Sequence, residues 1–125
     1  MLLAEGDSIT AHVLRHRLER DGTAVDTSTN GPSTLEKLQS ESFDAAVLDA
    51  DLIGIDGLDI LRRIRVGAVS RQDLPVLVLT WPGNDGLAAR AYDLDADIVM
   101  GRPLSLAILS AGVRRLARTG SGDGS

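Results

Sequence analysis

Acids, a hydroxyl and a guanidinium stand where a parallel sheet would gather them: Glu5, Asp49, Asp51, Thr80 and Arg102. Asp49 ends the run Ala45-Ala46-Val47-Leu48, an apolar stretch that reads as a strand buried on both faces. In an open α/β sheet, ligands and chemistry collect at the carboxyl ends of the strands, so Asp49 is the first candidate for a reactive group. Glu5 follows the opening apolar run, Thr80 closes Val76-Leu77-Val78-Leu79, and Arg102-Pro103 follows Asp97-Ile98-Val99-Met100. An acid pair, a hydroxyl and a cation would then converge on one crevice. Each has a plainer reading: Asp49 and Asp51 as loop acids, Glu5 and Asp7 as helix caps, Thr80 as a β-branched strand residue, Arg102-Pro103 as a strand exit. The agreement of several strand ends within a single fold favours convergence.

The elements that would position these residues alternate. Strands are expected at 1–4, 23–27, 45–49, 75–80 and 97–100, each a short apolar or β-branched run bounded by turn residues. Helices are expected at 8–21, 32–40, 56–66, 85–94 and 105–118. The first has Asp7 or Ser8 as its cap, Gly22 as its stop and Ile9, Val13, Leu14 and Leu18 at helical spacing. In the last, Ile108, Leu109, Val113 and Leu116 share a face. Strand and helix in strict alternation give a parallel sheet with helices on both faces, an α/β (βα)5 three-layer sandwich. In a flavodoxin-like order, 2-1-3-4-5, the first and third strands flank the switch point, and Glu5 faces Asp49 across it. Residues 1–118 form the domain, and 119–125 read as a Gly/Ser tail or linker remnant.

Composition narrows the classes. The chain has 125 residues, enough for one domain with its own core. It contains no Cys, so disulfides and thiolate metal sites are excluded, which fits a reducing cytoplasm. No signal-type segment and no apolar run of membrane-spanning length is expected, and neither is a membrane partner. A net charge of −5 argues against nucleic-acid binding by this domain. Phe43, Trp81 and Tyr92 are the only aromatic residues, which leaves little for stacking on bases or sugars.

From the first residue to about Arg118, the chain resembles a response-regulator receiver domain of bacterial two-component signalling. The resemblance rests on Leu2-Leu3-Ala4-Glu5-Gly6-Asp7, Val47-Leu48-Asp49-Ala50-Asp51, Gly54-Ile55-Asp56-Gly57-Leu58, Val76 to Thr80, and Ala96-Asp97 through Arg102-Pro103-Leu104. It implies that Asp49 is the acceptor of a phosphoryl group from a histidine kinase or phosphotransfer protein in a phosphorelay. It also implies that Thr80 is the switch hydroxyl and that an output domain or protein reads the result. A carboxylate is a competent nucleophile toward phosphorus when a cation and donors neutralise the transferred oxygens. No other enzymatic activity is implied. The metal positions map to Glu5, Asp49 and the backbone carbonyl of Asp51.

The departures from the family pattern cluster in that pocket. Receivers carry two adjacent acids after the first strand; here Gly6 replaces the second, so the Mg²⁺ site is expected to be weak or absent. Arg102 stands in place of Lys, and a planar fork can pair with Asp49 and occupy the phosphoryl site. Val99 holds the place of the fifth-strand aromatic, and Trp81 that of a small residue beside Thr80. The expected reading is a pseudo-receiver, weakly phosphorylated or not at all, acting through protein contacts.

Other classes leave weaker traces. Gly6-Asp7-Ser8 is similar to the nucleophile block of Gly-Asp-Ser hydrolases, with Ser8 as nucleophile, but His12 and His16 lie far from where that mechanism needs its base. Asp49-Ala50-Asp51 resembles the Asp-x-Asp motif of dehalogenase-type phosphatases, with Asp49 as nucleophile and Asp51 as acid/base. A homodimer through the last helix and the fifth-strand face is a further expectation, with Leu104, Leu106, Ile108 and Gly112 supplying an apolar contact.

Overall fold

The computed structural model describes the backbone of residues 1–121 and the side chains of residues 1–118. Its elements run β1 (Leu2–Ala4), α1 (Ser8–Arg20), β2 (Asp26–Ser28), α2 (Gly31–Ser40), β3 (Ala46–Asp49), α3 (Gly57–Arg65), β4 (Val76–Thr80), α4 (Asp85–Asp93), β5 (Ile98–Gly101) and α5 (Leu106–Ser121). The strands form one parallel sheet in the order β2-β1-β3-β4-β5, as the alternation implies.

Successive strand residues face opposite layers. Leu2, Ala46, Leu48, Val76 and Val78 pack with Leu58, Leu61 and Ile64 of α3, Leu38 of α2 and Ala91 of α4. Leu3, Val47, Leu77 and Leu79 pack with Leu14 and Leu18 of α1 and Leu109, Val113 and Leu116 of α5. Each fully buried Leu contributes about 1.5–3 kcal/mol by leaving water. The central strands are thereby clamped, and the residues just past their ends are held at fixed height.

Side-chain caps set where the helices begin. Asp7, Asn30, Asp56 and Asn84 accept from the backbone N–H groups of Ile9, Ser33, Asp59 and Leu87, one cap each for α1 to α4. Gly57 opens α3 against the end of β3, where a Cβ would lie 2.3 Å from the carbonyl oxygen of Asp49. Only glycine allows that approach.

Several boundaries and faces differ from expectation. β2 begins at Asp26, not Thr23, because the Thr23 N–H closes the end of α1 on the Leu18 carbonyl. β5 starts one residue later than expected, and α5 continues to Ser121, into the expected tail. Residues 122–125 of that tail lie outside the described residues. On α1 the buried stripe is Ala11, Leu14 and Leu18, whereas Ile9 and Val13 are 75% and 47% exposed. On α5, Ile108 is 63% exposed, one 100° step from the buried Leu109. Gly112 faces the sheet, where a Cβ would lie 3.1 Å from Met100 Cε, and Leu104 and Leu106 are half-buried against the α1/α5 core. Of the expected apolar dimer contact, only Ile108 projects outward.

Candidate functional site

β1 and β3 pair in register, with Ala4 opposite Leu48, so the next residues, Glu5 and Asp49, leave the sheet at the same height. β4 and β5 pair Thr80 with Gly101, which brings Arg102 to the same edge; its N–H donates to the Thr80 carbonyl at 2.9 Å. The Arg102-Pro103 peptide is cis. Glu5, Asp49, Thr80 and Arg102 are therefore neighbours, as their positions after apolar runs imply. All are withdrawn from solvent, Glu5 at 3% and Asp49 at 5% exposure.

The guanidinium organises the cluster. Arg102 Nη2 donates to Glu5 Oε2 at 2.5 Å and lies 3.7 Å from Asp49 Oδ2. Its side chain is 8% exposed, and the Trp81 ring covers it with Cζ 4.8 Å from the ring centroid. Arg102 Nε is buried without a hydrogen-bond partner. Asp49 is held by the main chain: Oδ1 accepts from the Asp51 N–H at 3.1 Å, and Oδ2 from the Gly6 N–H at 3.5 Å. Burial pushes the Glu5 carboxyl above its ordinary value; the hydrogen bond from Arg102 opposes the rise, and the nearby charge of Asp49 adds to it.

Arg102 pairs with Asp49 at 3.7 Å as the planar fork implies, and its hydrogen bond goes to Glu5, whose extra methylene reaches further into the crevice. Asp7 caps α1, as its place before the first helix implies, accepting from the Ile9 N–H at 3.3 Å and the Thr10 hydroxyl at 2.5 Å. Asp51 is exposed and meets Asp49 through its backbone N–H. Among the described residues, no group of three or more His, Asp or Glu side chains could hold a metal ion. A Cβ on Gly6 would sit in ordinary contact, 3.8 Å from Asp49 Oδ2 and 3.9 Å from the Thr29 carbonyl oxygen, so a side chain there would face Asp49. The stacking of Trp81 on Arg102 escaped sequence reasoning; the only available signal was an aromatic one residue past a strand end that faces a cation.

Nothing in the geometry favours the hydrolase readings. Ser8 is exposed at the start of α1, and His12 and His16 are exposed on the same helix. Ile9, Val13, Trp81, Pro103, Leu104 and Leu106 instead line an apolar recess of about 360 Å³ beside Arg102. Among the described residues, no helix is long and apolar enough to cross a membrane.

Comparison with known proteins agrees on one family. The family model for the response regulator receiver domain matches residues 1–114. The chain is 35% identical over 123 residues to the transcriptional regulatory protein TctD of Salmonella typhimurium, covering 98% of this chain and 54% of that protein. It is 37% identical over 120 residues to the transcriptional regulatory protein QseB of Haemophilus influenzae, covering 94% of this chain and 52% of that protein. The chain thus spans about half the length of the curated relatives it matches. Among solved structures, the Francisella response regulator 1452 receiver domain superposes with a TM-score of 0.87 at 20% identity, covering 94% of this chain and 95% of that one. The receiver domain of sensor histidine kinase PA1611 from Pseudomonas aeruginosa, solved with a magnesium ion coordinated in its active site cleft, gives 0.81 at 22% identity, covering 93% of this chain and 94% of that one.

Proposed function

The chain belongs to the response regulator receiver domain family, and from that premise we propose that it is a pseudo-receiver whose acceptor position is Asp49. The pocket takes phosphate weakly or not at all. One observation carries this reading: a buried guanidinium stands between Glu5 and Asp49, where an incoming phosphoryl group would need room and free positive charge.

The residues present do not fit a magnesium ion. Mg²⁺ demands near-ideal octahedral oxygen coordination, and here Gly6 offers no carboxylate, Glu5 is bound to Arg102, and Asp7 is turned to its helix. Of the expected metal positions, Asp49 and the Asp51 carbonyl are left. Thr80 keeps the switch position, but with Trp81 stacked on Arg102 beside it and Val99 in the reporter position, its hydroxyl has lost the usual surroundings of a moving switch.

Signalling then runs through protein contacts. The exposed apolar residues Ile9, Ile53 and Trp81 rim the same edge of the sheet, a surface suited to a histidine kinase, a phosphotransfer protein or an output domain. Both curated relatives are named as transcriptional regulators, which favours an output on gene expression. Self-association through α5 would centre on Ile108.

The test is intact mass after incubation with Mg²⁺ and a small-molecule phosphodonor, beside an Asp49→Asn control and an ordinary receiver. The expected result is little or no gain of a phosphoryl group while the ordinary receiver is modified. Stoichiometric gain by the parent and not by the control would overturn the proposal.

A further inference from the structure

We infer that Arg102, Trp81 and Gly6 act together to give the pocket a built-in cation: the guanidinium replaces the divalent ion and makes the state of the domain independent of it. The inference rests on the pseudo-receiver reading and deepens it, because a pocket can phosphorylate poorly simply for want of a ligand. A pocket whose cation is fixed on its own carboxylates and covered by a ring is a different device.

Charge is the first argument. Glu5 and Asp49 contribute two negative charges at the strand ends, and Arg102 supplies one positive charge between them, 2.5 Å from one carboxylate and 3.7 Å from the other. A buried carboxylate must be compensated, and here one fixed group serves both. Gly6 keeps the uncompensated charge to one. A side chain at that position would face Asp49 Oδ2 from 3.8 Å without steric obstruction, so an acid there would fit in space but would raise the uncompensated negative charge from one to two. The absent acid therefore lowers the demand for an external cation, while the exchange of Lys for Arg keeps the charge and changes only its geometry.

Geometry is the second. Lys would present a compact, mobile ammonium, whereas Arg presents a plane on which an aromatic ring can rest. The Trp81 ring lies over Cζ at 4.8 Å, on a strand-end loop adjoining Thr80, and so fixes the guanidinium from the open side of the pocket. Arg102 Nε remains buried without a partner. Full hydrogen bonding has therefore not set the position of this side chain; the two carboxylates and the ring have. Trp81 is a positioning residue, and as the only tryptophan in the chain it also reports on the site.

The test compares Mg²⁺ with NaCl at matched ionic strength, reading Tm and Trp81 fluorescence, in the parent, Gly6→Asp, Arg102→Met and the Gly6→Asp/Arg102→Lys double variant. The parent is expected to show no saturable response to Mg²⁺. Arg102→Met should melt lower and regain roughly 3–6 °C with Mg²⁺ but not with NaCl, since removing the internal cation creates a demand for an external one. The double variant should bind Mg²⁺ saturably, and Gly6→Asp alone should need at least about tenfold more, because Arg102 still competes. Should Arg102→Met fail to fold, the comparison of Gly6→Asp with the double variant still decides. Equal Mg²⁺ affinity in those two, or a saturable response in the parent, overturns the built-in cation. Neither outcome bears on whether Asp49 takes phosphate, which the mass measurement reads separately.

Discussion

Arg65 and Arg102 lie at opposite edges of the same sheet and are bound in opposite ways. Arg65, at the end of α3, donates through Nε and Nη2 to the Asp95 carbonyl, through Nη1 to the Gln72 and Leu74 carbonyls, and through Nη2 to Asp97 Oδ2 at 3.2 Å. Its fork is satisfied by main chain, and it staples α3 to the approaches of β4 and β5. Arg102 makes one strong bond to a buried carboxylate, leans toward a second, and leaves Nε unmet. An arginine that fills its donors with carbonyls is architecture. One that leaves a buried donor empty in order to stand between two acids is there for its charge.

Removing each side chain should separate the two roles. Arg102→Met leaves Glu5 and Asp49 buried and uncompensated, a loss that costs about 3–5 kcal/mol when one partner of a buried pair is deleted. Urea denaturation would measure it. A loss below that of Arg65→Met would break the comparison, because it would mean that the carboxylates never depended on the guanidinium.

Arg65→Met should cost less, about 1–3 kcal/mol. Gln72 and Asp95 are exposed, so their carbonyls can turn to water and only that of the buried Leu74 is left short, and Asp97 keeps its 2.8 Å bond from the Val76 N–H. The same denaturation series should show this variant as indifferent to Mg²⁺ as the parent. A Mg²⁺-dependent recovery at Arg65 would show that such recovery is not special to the strand-end pocket.

How far this contrast could be read in the sequence depends on length scale. Glu5, Asp49, Thr80 and Arg102 each follow an apolar run, and in a parallel (βα)5 sheet the ends of such runs share an edge, so their convergence was legible. So was the strand order. Which carboxylate takes the guanidinium was not, since the choice of Glu5 over Asp49 turns on one methylene of reach. The stacking of Trp81 likewise depends on where a loop carries a ring. On the helices, the error with Ile9, Val13 and Ile108 has one cause: apolar residues at adjacent angular positions blur the buried stripe, and only the layer packed against the helix selects among them. Hydropathy places an element; the direction of a side chain within it is a matter of packing.

The smallest effect should be the most specific to the pocket. The partners of Arg65 are mainly carbonyls and do not titrate, whereas the Glu5 partner of Arg102 does. The Glu5 carboxyl is raised in the fold, chiefly by burial. A carboxyl with a raised folded pKa binds more protons in the native state than in the unfolded one over the interval between the two values. Its contribution is therefore fully present below the ordinary carboxylate value of 4.5 and is lost as pH rises through the folded value. The slope from one such group cannot exceed about 1.4 kcal/mol per pH unit. Denaturation midpoints taken from pH 4.5 upward should thus fall less steeply in Glu5→Gln than in the parent, and Arg65→Met should retain the parent slope. If the Glu5→Gln profile ran parallel to the parent, the falling limb would belong to other acids, and the burial of Glu5 would be fully offset by the guanidinium beside it.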